Sequence, residues 1–229
     1  MRVLVAGAHG KIARLLTRHL SADGHEVVGL VRDPGQVPDL ESDGARGVVV
    51  DLERAGADDV AAVAQGCDAV VFAAGAGPGS GAARKDTVDR GAAVLLADGA
   101  EAAGVRPYVL VSSTGVGAMQ DGALPDDVGD VFLAYLQAKA AAEDDVLARP
   151  GLAAVAVRPG SLTDEAATGR LHLTTGDVDG SVPRADVAAL CAALLGRLVD
   201  GEVVAPAVVG VVAGDDDLGT ALEGILSRT

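Results

Sequence analysis

Aromatic residues are nearly absent: the 229-residue chain has two Phe, two Tyr and no Trp. Its core must therefore be assembled from small aliphatic side chains, and few rings remain to stack on a large planar ligand. Lysine is as scarce, at Lys11, Lys85 and Lys139, so the place of each one is informative. Cysteine is limited to Cys67 and Cys191, far apart and each in an apolar setting. That argues against a disulfide framework and a metal cluster; no metal site is expected, and both read as buried thiols of a reducing compartment. No apolar run reaches the roughly 18 residues that span a bilayer. The charged-then-apolar form of a signal peptide is missing too, because the short apolar stretch at the N-terminus runs into a glycine turn. The expected location is the cytoplasm. Positive charge is in deficit, with 18 Lys and Arg against 33 Asp and Glu for a net charge of −15. Nucleic acid and anionic membrane are poor partners for such a chain.

What is present is Asp, Ala, Val, Leu and Gly. Asp outnumbers Glu 25 to 8. This Asp-rich, Lys-poor usage resembles that of proteins from salt-accumulating halophiles, whose acidic surfaces stay soluble where salt screens self-repulsion. A GC-rich genome accounts equally for the excess of Ala, Gly and Val. The length suits one domain over 1–229, with about 160–229 contributing a substrate side.

The N-terminal stretch sets the architecture. Val3-Leu4-Val5-Ala6 reads as a strand, Gly7-Ala8-His9-Gly10-Lys11-Ile12-Ala13 as a tight turn, and Ile12, Leu15, Leu16 and Leu20 give the next helix one apolar face. Strand, glycine turn and helix N-terminus together make a phosphate site: Gly7 permits the turn, Gly10 admits a pyrophosphate, and the first N–H groups of the helix meet the anion. An ordinary strand-to-helix turn is the alternative reading. Further strands are expected at Glu26–Val31, Arg46–Val50, Asp68–Ala73, Arg106–Val111 and Leu152–Val157. Helices are expected at Ala57–Gln65, Asp86–Ala103, Gly129–Leu147, Arg184–Val199 and Asp217–Ser227. Ala74–Ala83 reads as a loop, as does the stretch with Gly115, Gly117, Gly122 and Pro125. A short strand near Leu171–Thr174 and an apolar stretch Val203–Val212 complete the pattern. Apolar strands alternating with helices predict an α/β, doubly wound parallel sheet in a three-layer sandwich.

Arg32 follows the second strand, where an acidic residue would bind a ribose 2′-hydroxyl and an Arg a 2′-phosphate. Asp33 comes next, so NAD stays open beside NADP. His9 is placed to add a phosphate contact, and Asp51 with Leu52 to meet the adenine. Ala73, Ala74 and Gly75 would line the ligand with small groups. Tyr135 and Lys139 lie at i and i+4, one turn apart on a helix. A phenol, with a reference pKa of about 10, needs a neighbouring ammonium to favour its phenolate at neutral pH. Ser112 and Ser113 end the fifth strand, where a hydroxyl reaches a substrate oxygen; capping a turn is the alternative.

These stretches, with Val157-Arg158-Pro159-Gly160 and Pro183-Arg184-Ala185-Asp186, resemble the short-chain dehydrogenase/reductase superfamily in its atypical, single-domain NAD(P)H-binding or epimerase-like branch. The resemblance covers nearly the whole chain in order. It implies a Rossmann-like fold and a dinucleotide turn of Gly7, Gly10 and Ala13, flanked by Lys11 and Ile12. It also implies that Ser113 orients the substrate oxygen, Tyr135 transfers the proton, and Lys139 assists Tyr135 and binds ribose. Pro159 and Gly160 would pass near the nicotinamide, while Lys85 and Asp89 would face the site. The implied activity is NADP(H)-dependent oxidoreduction of a small carbonyl or hydroxyl substrate. A sugar epimerase or dehydratase using the same residues is the second reading, and a non-catalytic NADP(H) sensor or scaffold the third. Related folds often dimerise, which leaves a homodimer open. His9 departs from the usual small turn residue.

Overall fold

The computed structural model describes residues 1–75, 77, 81–124, 129–202 and 207–226. Residues 76 and 78–80 of the expected loop, Pro125, residues 203–206 and Ser227 lie outside the described residues.

The chain begins with β1 (Arg2–Ala6), α1 (Lys11–Ala22), β2 (Glu26–Val31), α2 (Val37–Ser42), β3 (Ala45–Val49), α3 (Ala57–Ala64) and β4 (Ala69–Phe72). A helical run follows as α4 (Ala82–Lys85), a π-helical segment (Asp86–Gly91) and α5 (Ala92–Ala102). Then come β5 (Pro107–Val111), α6 (Val116–Gln120), α7 (Asp130–Leu147), β6 (Ala153–Pro159), β7 (Ser161–Thr163), β8 (Arg170–Thr174) and β9 (Ser181–Pro183). The last elements are α8 (Arg184–Val199), β10 (Val208–Ala213), β11 (Asp216–Asp217) and α9 (Leu218–Leu226). The order across the main sheet is β3-β2-β1-β4-β5-β6-β10-β8-β11. It is parallel from β3 to β10; β8 and β11 close the far edge antiparallel.

Valine and alanine build both faces of that sheet. Val3, Val5, Val109 and Val155 point to the side covered by α1 and α8, whose Leu16, Leu20, Leu190 and Leu194 are buried against them. Leu4, Val70, Phe72, Tyr108 and Leu110 point to the other side, under α3, α5 and α7. Strands buried on both faces need no polar alternation, which is why they read as continuous apolar runs. Small residues let neighbouring helices approach closely: a Cβ at Gly99 of α5 would lie 2.4 Å from Val60 Cγ1 of α3. Tyr108 is fully buried, and its hydroxyl donates to Ala93 O at 2.9 Å, so the ring costs no unsatisfied polar group. Both cysteines are buried and free. No helix among the described residues is long and apolar enough to cross a membrane.

The doubly wound α/β expectation matches. The misses are local. Arg32-Asp33-Pro34-Gly35 reads as a break in regular structure, yet a 3₁₀ turn (Pro34–Gln36) leads straight into α2, with Pro38 in the first turn where its missing N–H costs nothing. The glycine-rich stretch after β5 holds α6, started by Gly115 at φ +88° and capped from elsewhere by Asp177, which accepts from Gly117 N and Ala118 N. The segment after β6 contains a second small sheet, β7 paired parallel with β9. Each of its strands is three residues long, too short for a periodic signal.

Candidate active site

Strand order reverses beside β1, which pairs with β2 on one side and β4 on the other. That leaves a crevice beyond the carboxyl ends of these strands. A cavity of about 310 Å³ lies there. The β1–α1 turn lines it with Gly7, His9 and Gly10, and β2 with Leu30, Val31 and Arg32. Gln36, Val50, Asp51, Leu52 and Glu53 form the far wall, and Ala73, Ala74, Gly75, Arg84, Val88 and Ala92 the near one.

Two observations fit the turn to an anionic dinucleotide. Gly7 has φ +73°, and a Cβ there would lie 2.5 Å from Ala74 Cα, so turn and β4 touch backbone to backbone. Gly10 caps α1 with no side-chain hydrogen bond, leaving the first helical N–H groups to an incoming phosphate. His9 Nε2 lies 2.8 Å from Asp39 Oδ2. Lys11 is not in the cavity wall; it forms an ion pair with Asp164, which Arg184 Nη1 also contacts at 2.6 Å. The Lys11 hydrogen bond, with Arg184, holds the Asp164 carboxyl below the usual carboxylate range. Ile12 packs into the core beneath α1.

The second half of the site stands on α7, whose Tyr135, Lys139 and Glu143 share one face. Lys139 is buried: its Nζ donates to Val111 O at 3.1 Å and to Ala74 O at 3.5 Å, and lies 3.5 Å from the buried Asp89 Oδ1. Its ammonium sits 5.4 Å from the Phe72 ring centroid and 6.0 Å from that of Tyr135. Lys85 Nζ donates to Gly77 O at 3.0 Å and lies 5.2 Å from the Tyr135 centroid. The half-buried Tyr135 ring is thus flanked by two ammonium groups, and half-exposed Phe132 stacks on it at 5.8 Å. Gly75 leaves room for this cluster, since a Cβ there would meet Asp89 Oδ1 at 3.1 Å.

Ser113 is half-buried and donates to Thr114 O at 3.0 Å. Ser112 is buried, and its Oγ has no hydrogen-bond partner among the described residues. Pro159 and Gly160 end β6, beside the Ser112–Thr114 strand end through Thr114 N to Pro159 O at 3.0 Å. Gly160 is required by close approach: a Cβ would lie 2.5 Å from Gly180 O. Around them the segments after β6 are tied down. Thr114 Oγ1 donates to Val178 O at 2.8 Å and accepts from Val178 N at 3.0 Å. Asp186, buried, accepts from Thr168 N, Thr168 Oγ1 and Gly169 N at 2.9 Å each. Arg158 donates to Glu143 and to Gln120 Oε1, fixing β6 to α7 and α6.

The predicted residues therefore fall into two groups. Gly7, His9, Gly10, Arg32, Asp51, Leu52, Ala73, Ala74 and Gly75 line the cavity. Ser112, Ser113, Tyr135, Lys139, Pro159 and Gly160 lie at the ends of β5 and β6 or on α7. The Lys139–Ala74 hydrogen bond joins the groups. Sequence reasoning missed Glu53 and Arg84, which both line the cavity and form an ion pair at 3.1 Å. Glu53 stands two residues beyond Asp51 and was findable; Arg84 sits at the edge of a stretch read as loop.

The NAD(P)H-binding family model matches residues 7–197. A Bacillus subtilis protein called the uncharacterized sugar epimerase YhfK is 31% identical over 189 residues, 82% of this chain and 85% of that protein. Among solved structures, a Bacillus halodurans protein provisionally assigned as an NAD-dependent epimerase/dehydratase superposes with TM-score 0.84 at 35% identity, over 98% of this chain and 99% of its own. The oxidoreductase ylbE of Lactococcus lactis superposes with TM-score 0.82 at 25% identity, over 99% and 97%.

Proposed function

The chain belongs to the NAD(P)H-binding family, and on that premise we propose that it is an NADP(H)-dependent oxidoreductase acting on a small carbonyl or hydroxyl substrate. One observation carries the reading: Ala74, a wall of the dinucleotide cavity, is also an acceptor for Lys139 beside Tyr135. Coenzyme site and proton-transfer pair are thereby continuous.

A bound nicotinamide dinucleotide supplies a hydride in one direction and accepts it in the other. The uncapped N-terminus of α1, with Gly7 and Gly10, holds its diphosphate. Arg32 takes the 2′-phosphate as a planar, bidentate donor, and Asp51 and Leu52 bound the adenine. Tyr135 gives its phenolic proton to the substrate oxygen during reduction and takes it back during oxidation. Lys139 stabilises the phenolate that remains and offers a ribose hydroxyl its ammonium. Ser113 orients the substrate oxygen. Pro159 and Gly160 form the floor on the nicotinamide side.

The test is NADPH oxidation with a panel of small aldehydes and ketones. Tyr135→Phe is expected to lower kcat on the order of 10²-fold or more, the usual worth of a positioned acid, with NADPH binding retained. Full activity in that variant, or NADPH binding with no panel member reduced, overturns the carbonyl-oxidoreductase reading. The second reading, a sugar epimerase or dehydratase, rests on the description of the Bacillus subtilis relative. Binding without turnover of either substrate class identifies a coenzyme-binding sensor.

A further inference from the structure

Coenzyme choice in this fold is usually sought at the end of β2. Here Arg32 is there, but Asp33 is engaged elsewhere: its Oδ1 accepts from Gly35 N at 2.8 Å and caps the 3₁₀ turn. Asp33 does not line the cavity. Asp51 does, yet its Oδ1 accepts from Glu53 N at 3.1 Å and its Oδ2 lies 3.5 Å from Arg54 Nε, so it too is held in its own turn.

Glu53 differs. Its Oε2 lies 3.1 Å from Arg84 Nη2 and 3.5 Å from Arg32 Nη1, and its Oε1 accepts from Thr87 Oγ1 at 3.0 Å. Arg32, Glu53 and Arg84 all line the cavity. Two guanidinium groups from separate segments thus converge on one carboxylate, and both are partly exposed. That is a site built around an anion, with the anion supplied by the chain itself. A 2′-phosphate is the ligand chemistry that competes with this carboxylate for two forked donors. A ribose bearing a 2′-hydroxyl instead donates to the carboxylate and leaves both arginines where they are.

We infer that Glu53 is the residue that discriminates between NAD(H) and NADP(H), and that Arg84 is a second phosphate-binding cation beside Arg32. The inference rests on the dinucleotide reading of this cavity. With a 2′-phosphate bound, Arg32 and Arg84 turn from Glu53 to the phosphate oxygens. Glu53 stays in place through Thr87 and opposes the new negative charge. Discrimination in the natural chain is the balance of two cations against one fixed carboxylate.

The experiment is fluorescence titration of NADPH and NADH, at one ionic strength because these charges are screened by salt. It uses the full chain and its Glu53→Gln, Glu53→Asp, Arg84→Ala and Arg32→Ala variants, each checked for native thermal unfolding. Glu53→Gln is expected to tighten NADPH and weaken NADH, moving the ratio of their Kd values by about tenfold or more (1.4 kcal/mol). Glu53→Asp, which keeps the charge, should stay near the natural ratio. Arg84→Ala should shift it towards NADH. An unchanged ratio in Glu53→Gln, or an equal loss of both coenzymes in Arg84→Ala, overturns the inference. If Arg32→Ala moves the ratio while those two do not, the phosphate assignment of Arg32 stands and only the inference falls. If Arg32→Ala leaves the ratio unchanged as well, the NADP(H) preference falls with it. Binding of neither coenzyme by the natural chain overturns both.

Discussion

Replacing Glu143 with alanine leaves a guanidinium stranded in the interior. The Glu143 side chain is 0% exposed and that of Arg158 6%. Arg158 Nε donates to both carboxylate oxygens, at 3.0 and 3.1 Å, and its Nη2 donates to Oε2 at 2.5 Å. Burial works against the charge on Arg158, but the hydrogen bonds to Glu143 more than offset it and raise the guanidinium pKa. Removing one partner of a buried pair costs about 3–5 kcal/mol, because the other charge stays desolvated. Arg158 keeps Gln120 Oε1 at 2.7 Å and Asp177 Oδ1 at 3.4 Å, which places the cost at the lower end, about 3 kcal/mol. In a chain of this size that lowers Tm by about 6–12 °C. Urea unfolding followed by circular dichroism should show a lower midpoint with an unchanged slope. The double variant Glu143→Leu, Arg158→Met removes both charges, and is expected to recover most of the loss. A Glu143→Ala protein within about 0.5 kcal/mol of the natural one, the range of ordinary surface substitutions, refutes the argument. So does a double variant as unstable as the single.

Gly7→Ala should cost about 1–3 kcal/mol, since φ is +73° and the new Cβ would lie 2.5 Å from Ala74 Cα. The same backbone shift should abolish NADPH binding in the fraction that folds, and a titration showing natural affinity would count against the tight turn as the coenzyme site. Asp43 supplies a pH prediction. Burial pushes its carboxyl up, but hydrogen bonds from Arg14 and Arg18 outweigh that and hold it below the usual carboxylate range. A depressed folded value means that stability from this group is present above about pH 4 and lost as pH falls through the folded value. Asp43→Asn should lower stability at neutral pH and flatten the acid limb of the stability curve, measured by urea unfolding at a series of pH values. An acid limb as steep as that of the natural chain would refute it.

The parallel sheet was legible because its strands are buried on both faces. Val3–Ala6 and Ala69–Phe72 are apolar at every position, and glycines such as Gly24 and Gly104 stop the helices after them in left-handed conformations. The glycine turn was legible because it is local: Gly7, Gly10 and α1 follow one another along the chain. Tyr135 and Lys139 share a helix face, so spacing alone paired them. What spacing does not contain is contact between distant segments. That Asp33 caps its own turn while Glu53 faces Arg84 depends on rotamers and on the path of the run after β4. Likewise Asp177 caps α6 from about 60 residues away. Lys139 was expected beside Tyr135 and is there, but its burial against Asp89 and Val111 O comes from α7 packing on the π-helical segment, which a 3.6-residue period does not describe.

Three cations in and around the cavity make contacts of graded depth. Lys11 reaches Asp164 with both side chains more than half exposed. Arg84 reaches Glu53 with both about one third exposed. Lys139 reaches Ala74 O with its side chain 4% exposed. Dissolved salt screens the first bridge strongly, the second less and the third least.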